Sequence, residues 1–377
     1  MEVQGLAVED VFQKDDREDM RIGILTFHRA HNYGAVLQCY ALQEILRHKG
    51  HEVTVVDYRQ TWIEEFYKVF SIKMIRRIIG NPGEFVSYMR KNLKKFLLAP
   101  CRARNFRSFR DRFLQMSSPC TDGVPQEYDC YFIGSDQLWS LHCLGGVPDR
   151  IYMGDFIRPE GSRLIGYAIS ADLHSIEAVS AELPALVAGF SEISMRERKV
   201  AELVSQITGR SCDVCVDPTL LTTASMWDDV IDRRWKDRKY VLIYEVRRLK
   251  ENKGLLRRKA EELASKIGGC PVIDLSDVSR SVRDFVSMFK YAEYVVTTSF
   301  HGTVFSLLFE TPFYVLPLWN GYDLRYVELL QSIGAGDRIV SADTVLEPSE
   351  MDFSPLMAGL EQMRQKSLTF IDKALRP

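Results

Sequence analysis

Residues 21–58 read RIGILTFHRAHNYGAVLQCYALQEILRHKGHEVTVVDY, and the periodicity of this stretch decides the fold. RIGILTF is an apolar run of strand type. The polar loop HRAHNYG follows. Val36, Leu37, Tyr40, Leu42, Ile45 and Leu46 then recur at helical spacing as far as Gly50, where a helix stops. HEVTVVDY is a second buried strand. Strand, helix, strand in so short a span is a parallel βαβ unit.

Outward from this unit the alternation continues. Residues 62–113 read as a helical, basic insertion, with thirteen Lys and Arg between Lys68 and Arg112 against only Glu84 and Asp111. Strand signals return in YDCYFIGSDQ, RLIGYAIS, EISMRE and CDVCVDPTLL, with helical stretches over 176–190 and 199–208. A polar linker containing two tryptophans, TTASMWDDVIDRRWKDRK (222–239), leads to a fresh strand, YVLIYEV. A helix over 253–267, the strand PVIDL, a helix over 282–293 and the strand YVVTTS come next. The helix GTVFSLLFE, the strand PFYVLPL and the helix LRYVELLQSIG complete this half.

The expected architecture is α/β, with two Rossmann-like doubly wound domains over 21–222 and 238–345 and a C-terminal helix within 350–377. A chain of 377 residues is long enough for two cores. Two such domains predict an interdomain cleft, where strand ends and helix N-termini converge on ligands. The architecture alone predicts room for two substrates and does not identify the chemistry.

Composition narrows the function classes. A net charge of -2 gives no overall attraction to nucleic acid, so none is expected as a partner. The first twenty residues are polar and acidic, without the basic start and apolar core of a secretory signal. The longest apolar region, 294–319, is broken by His301, Glu310 and Pro312, so a cytoplasmic location is expected. Eight cysteines are scattered. The one C-x-x-C, Cys212 and Cys215, lies in an alternating segment that turns the two thiols to opposite faces, and no metal site is expected.

Five local patterns can carry chemistry. In YVVTTSFHGTVF a buried strand gives way at once to a helix. Ser299 is its N-cap, and His301 and Gly302 stand in the first turn, where helix amides and the dipole favour an anion. The same letters also suit an ordinary capped helix. In EISMRERKV, Arg196 follows a strand end and offers the paired donors that suit carboxylate or phosphate, or simply opens a charged helix. In FIGSDQLW, Ser135, Asp136 and Gln137 form a strand-end turn whose carboxylate can bind or deprotonate a hydroxyl, or merely shape the turn. Asn32, Tyr33 and Gly34 occupy the first strand-to-helix loop, which is not the G-x-G-x-x-G of dinucleotide sites. Arg325, in GYDLRYVELL, adds a cation at a later helix start.

Taken in this order, NYGAVLQCYALQEIL, YDCYFIGSDQLW, GYAIS, ISMRERK, DVCVDPTLL, SFHGTVFSLLFETPFYVLP and DLRYVELLQSIG with DRI resemble the polysaccharide pyruvyl transferase family. The similarity covers roughly residues 21–339. It departs where a segment usually reading YA-S-G ends here in Ala171-Asp172. The resemblance implies a GT-B-like pair of domains, the first the acceptor side and the second the donor side. It also implies formation of a ketal from phosphoenolpyruvate, as substrate, on a sugar acceptor that is often carried on a lipid. It implies no cofactor.

Carried over by motif, Arg196, His301 and Arg325 hold the donor with Ser299 and Gly302. His301 is then the general acid and Asp136 orients the acceptor, which Asn32, Tyr33, Gly34, Ser135 and Gln137 help to bind. For a lipid-diphosphate acceptor the basic insertion would meet an anionic membrane at its inner face; as a solvated helix it would meet nothing. Two other readings share the architecture. A nucleotide-sugar glycosyltransferase wants a carboxylate near the second domain's ligand, and Glu310 is the one acid near the SFHG helix. A non-catalytic binding protein would need no imidazole at position 301.

Overall fold

The computed structural model describes residues 19–67, 82–246, 254–276, 280–317 and 324–376. Lys68, Lys73, Arg76 and Arg77 of the basic run, and the helix start expected at Lys253, lie outside the described residues. The chain divides into two compact units. One ends at Thr222 and takes up the chain again from Arg364; the other is Thr223–Met363.

In the first unit, the strands β1 (Arg21–Leu25), β2 (Glu52–Val55), β3 (Cys130–Asp136), β4 (Arg163–Ile169), β5 (Glu192–Met195) and β6 (Asp213–Val214) form one sheet in the order β2-β1-β3-β4-β5-β6. Every neighbouring pair is parallel. A parallel sheet covered on both faces needs continuous apolar strands. Ile22, Ile24 and Leu25, and Tyr131 to Ile133, are accordingly fully buried.

The helices are α1 (Tyr33–His48), α2 (Thr61–Tyr67), α3 (Pro82–Phe113), α4 (Leu173–Ala178), α5 (Leu183–Val187), α6 (Arg198–Thr208) and α7 (Pro218–Leu221). The helix expected over 176–190 is two pieces, since Asp172 caps α4 and Pro184 marks a new start for α5. The strand expected over CDVCVD shrinks to Asp213–Val214, because Asp217 and Pro218 open α7 directly. Asp172, the departure noted in the sequence, is the α4 cap, accepting from the Ser175 amide at 2.8 Å.

The second unit repeats the principle with four parallel strands, β7 (Val241–Tyr244), β8 (Val272–Asp274), β9 (Tyr294–Thr297) and β10 (Phe313–Val315), in the order β10-β9-β7-β8. Its helices are α8 (Leu255–Lys266), α9 (Val282–Tyr291), α10 (Phe300–Leu308) and α11 (Leu324–Ser332), and α12 (Ser354–Ala374) follows them. The segment expected as a linker is part of this core. Trp227 is fully buried with its ring centroid 4.9 Å from that of Phe305, and Trp235 donates its indole N–H to Asp284 at 2.9 Å. A tryptophan in a polar segment looks solvated in sequence but packs against Phe305 of α10.

In both sheets the chain steps from the first strand to one side and then returns to the other. The reversal lies between β1 and β3 in the first unit, and between β7 and β9 in the second. Truncating Trp227→Ala is predicted to cost about 3–5 kcal/mol, as for other large buried aromatics. Denaturant unfolding of the second unit measures it, with the exposed Val345→Ala as a control expected within about 0.5 kcal/mol.

Candidate functional site

Ligands of open α/β sheets sit outside the carboxyl ends of the strands at the reversal point. In the second unit that point is built by Thr297. Its hydroxyl donates to the Tyr244 carbonyl at 2.7 Å and accepts from the Ser299 amide at 3.1 Å, pinning the ends of β7 and β9 together. Ser299 is the α10 cap: its side chain accepts from the Gly302 amide at 3.3 Å, and its carbonyl from the Thr303 amide at 2.9 Å. Phe300 and His301 therefore supply the first amides of α10.

His301 is half-buried, its ring 5.2 Å from that of Phe300 and nearly perpendicular to it. The Arg325 guanidinium lies 5.8 Å from the centre of the same Phe300 ring. An imidazole and a guanidinium thus flank one aromatic side chain at the positive end of a helix. Gly302 packs closely against Thr297, where a Cβ would lie 2.4 Å from Thr297 Oγ1. Glu310 stands exposed at the far end of α10, out of reach of a ligand at the first turn.

The first unit's reversal point joins the loops after β1 and β3, with Thr26 donating to the Ser135 carbonyl at 2.7 Å. Gly134 has φ 129, and a Cβ there would fall 2.0 Å from the Tyr167 carbonyl oxygen, so glycine is required. Asp136 follows at φ 90, with its carboxylate accepting from the Gln137 amide at 2.8 Å. Asp136 and Gln137 are half-buried at the rim.

The other expected contacts of this unit are turned inward. Ser135 is fully buried and donates to the Ala168 carbonyl at 2.7 Å. The Arg196 guanidinium, whose side chain is 5% exposed, pairs with the fully buried Asp217 at 2.7 Å and donates to the Ser135 hydroxyl. Asn32 caps α1 through the Gly34 amide at 3.0 Å, and the buried Tyr33 ring packs 5.1 Å from Phe106. Short polar residues at strand ends serve the turn before they serve a ligand.

The structure also gathers residues the patterns did not single out. Buried Asp57, just after β2, takes His28 at 3.1 Å, Arg29 at 2.9 Å and Arg59 at 3.2 Å, while Arg29 also reaches Glu64. Burial pushes the Asp57 carboxyl up, but the His28 hydrogen bond and the Arg29 charge outweigh it and hold it well below the usual range. Burial drives the His28 pKa down, only partly offset by Asp57. His31 stacks on Phe106 at 5.5 Å and lies 5.0 Å from Tyr67, and its carbonyl accepts from Arg102 at 2.6 Å. Burial, then the Arg110 and Arg102 charges, lower it to about 4. The available signal was three basic or imidazole side chains in HRAH beside a strand ending in Asp57.

Among the described residues no group of three or more His, Cys, Asp or Glu is placed to hold a metal ion. Burial raises the Cys212 and Cys215 thiols to about 12, so neither is a thiolate near neutrality. No described helix is long and apolar enough to cross a membrane.

Since His31 is held neutral when folded but protonates near 6.5 when unfolded, the unfolded chain binds more protons between those values. Stability is therefore complete above about pH 6.5 and declines as pH falls towards 4, by roughly 1–2 kcal/mol from His31 after allowing for solvent screening. His28 acts in the same direction. Melting temperature against pH is predicted to fall less steeply over this window in His31→Gln.

A family model described as polysaccharide pyruvyl transferase matches residues 32–320. Solved structures with similar architecture include the glycosyltransferase SnogD from Streptomyces nogalater, at 12% identity and TM-score 0.37, covering 95% of this chain and 100% of that one. They include an alpha-glucosyltransferase in complex with UDP and a 13-mer DNA, at 11% identity and TM-score 0.40, with 95% and 93% covered. E. coli heptosyltransferase WaaC with ADP matches at 13% identity and TM-score 0.34, with 94% and 100% covered. No curated protein sequence matches the chain.

Proposed function

The chain belongs to the polysaccharide pyruvyl transferase family, and from that premise we propose that it transfers the pyruvyl group of phosphoenolpyruvate to a sugar as a ketal in surface polysaccharide biosynthesis. The observation that carries this reading is the start of α10. There, His301 and Arg325 flank Phe300 on the family's SFHG motif, at the reversal point of the second sheet.

The donor carries a phosphate and a carboxylate, so it needs cations and a helix N-terminus in one place. Imidazole delivers a proton near neutral pH, and His301 is assigned to protonate the methylene carbon of the donor. The adjacent carbon becomes oxocarbenium-like and is attacked by a sugar hydroxyl oxygen. The carbon–oxygen bond to phosphate breaks, and a neighbouring hydroxyl closes the ketal. Of the two hydroxyl protons released, one balances the proton given to carbon and the other leaves on phosphate. Asp136, at the rim of the first unit, is assigned to orient or deprotonate the attacking hydroxyl. Arg325 steadies the anionic donor, and the reaction calls for no cofactor.

The test is mass spectrometry of sugar fractions incubated with labelled phosphoenolpyruvate and the chain, which should gain the pyruvyl mass. His301→Ala is predicted to lower the rate by about 10²-fold or more with an unchanged melting temperature. Pyruvylation at the parent rate would reject the assignment.

The acceptor is proposed to reside at an anionic membrane. On α3, Leu93 and Leu97 are 52% and 70% exposed one helical turn apart, and the exposed Arg104 and Arg107 follow. Exposed apolar side chains with arginines further along the same helix suit an interface of acidic lipid headgroups. Sedimentation with anionic vesicles at low salt should exceed that with neutral vesicles, and Leu97→Glu should abolish the difference. Equal sedimentation would remove the membrane from the proposal.

A further inference from the structure

We infer that Cys143 is a modification site, a thiol activated by His142 and Asp172 that reacts with hydroperoxides and small thiols beside the turn carrying Asp136. Its reactivity stands on the first unit alone, and its effect on pyruvyl transfer rests on the function proposed above.

After β3 ends in Asp136 the chain turns back on itself. The Ser140 amide donates to the Gln137 carbonyl at 3.2 Å, and the Cys143 amide to the Ser140 carbonyl at 2.9 Å. These turns return the Cys143 sulfur to the strand end, 3.6 Å from Gln137 Oε1. The same sulfur lies 3.2 Å from His142 Nε2, and His142 Nδ1 lies 3.4 Å from Asp172 Oδ2. Asp172 is itself held. Its carboxylate accepts from the Ser175 amide at 2.8 Å and from the Ser175 hydroxyl at 2.7 Å. That hydroxyl in turn accepts from the Leu141 amide at 2.9 Å, so one serine ties the loop carrying His142 to the helix start carrying Asp172.

A nucleophile, a base within its reach and a third group that orients the base are the parts of an activated thiol. Burial pushes the Asp172 carboxyl up, but the Ser175 hydrogen bonds and the His142 charge outweigh it and hold it below the usual range. It therefore faces the imidazole as a carboxylate near neutral pH. The other cysteines lack this setting. Burial raises the thiols of Cys39, Cys120, Cys130, Cys212, Cys215 and Cys270. The exposed Cys101 has the Asn105 amide at 3.8 Å in place of an imidazole. Cys143 is half-buried beside the exposed His142, Gly145 and Gly146, which leaves an approach for a small reagent.

His142 takes the thiol proton, and the thiolate attacks one oxygen of the hydroperoxide. The sulfur–oxygen bond forms as the oxygen–oxygen bond breaks, and the departing oxygen takes the proton from His142. Sulfur is oxidised by two electrons to the sulfenic acid, and the peroxide is reduced. A small thiol then forms a mixed disulfide with loss of water, and excess thiol exchanges it back to Cys143. Any group added to this sulfur stands against Gln137, whose amide donates to the Asp136 carboxylate at 2.8 Å. Displacing that turn moves the group assigned to the acceptor hydroxyl, and such misplacement is worth large factors in rate.

The test uses the full chain, with iodoacetamide labelling at neutral pH followed for each cysteine by peptide mass spectrometry. Cys143 is predicted to alkylate about tenfold faster or more than Cys101, the internal reference. His142→Gln, at an exposed position, should bring Cys143 down to the Cys101 rate. Asp172→Asn, which keeps a side-chain cap on α4, should slow it about threefold. Unchanged melting temperatures show that both variants fold. Hydrogen peroxide followed by glutathione should place the glutathione mass on Cys143 first and lower pyruvyl transfer about tenfold or more, and dithiothreitol should restore it. Cys143→Ser, compared with itself before and after the same treatment, should show no loss.

Alkylation of Cys143 no faster than that of Cys101, or unchanged in His142→Gln, would overturn the inference. So would full transfer by a chain carrying glutathione on Cys143, or an equal loss in Cys143→Ser. If the untreated parent transfers no pyruvyl group, the proposed function fails, and the alkylation rates still decide whether Cys143 is an activated thiol.

Discussion

A parallel sheet buries both its faces, so the place left for chemistry is its edge, at the carboxyl ends where the chain reverses its direction of travel. Both units obey this constraint. In each, a threonine at the reversal point sews two neighbouring strand ends together: Thr26 to Ser135 in one, Thr297 to Tyr244 in the other. These short hydroxyl bonds determine which side chains face inward and which face a ligand. The α10 start illustrates the result. Once Thr297 is bonded to Tyr244 and to the Ser299 amide, Gly302 is pressed against it and His301 is carried to the first turn of the helix.

The first unit solves a harder electrostatic problem. Its reversal point lies beside Asp57, Glu64, His28, Arg29 and Arg59, a network in which two carboxylates meet two guanidinium groups and burial lowers the His28 pKa. A neutral, hydrogen-bonding surface suits a sugar hydroxyl better than a phosphate, whereas the second unit's imidazole and guanidinium suit an anion. The proposed division of labour between acceptor and donor follows these two charge patterns.

Much of this was legible in the sequence. Apolar runs of four to seven residues separated by amphipathic segments specify parallel strands with helical crossovers, and Ser299 before a helix start specifies its cap. The direction of polar side chains at strand ends was not legible. Arg196, Ser135 and Asn32 read as polar residues at carboxyl ends, and the spacing gave no sign that each also bonds the turn or cap beside it. Asp217 escaped notice because its partner lies at another strand end, and pairing across a sheet has no signature in local spacing. Trp227 was misread for the opposite reason: acidic neighbours made a buried core residue look solvated.

The account stands on the proposed anion site at the start of α10. Amide and side-chain resonances of Phe300, His301 and Arg325, followed by NMR while phosphoenolpyruvate is titrated in, examine that pocket most directly. Saturable shifts centred on these three residues are the predicted result. Binding that leaves them unmoved while perturbing other parts of the chain, or no binding, would contradict it.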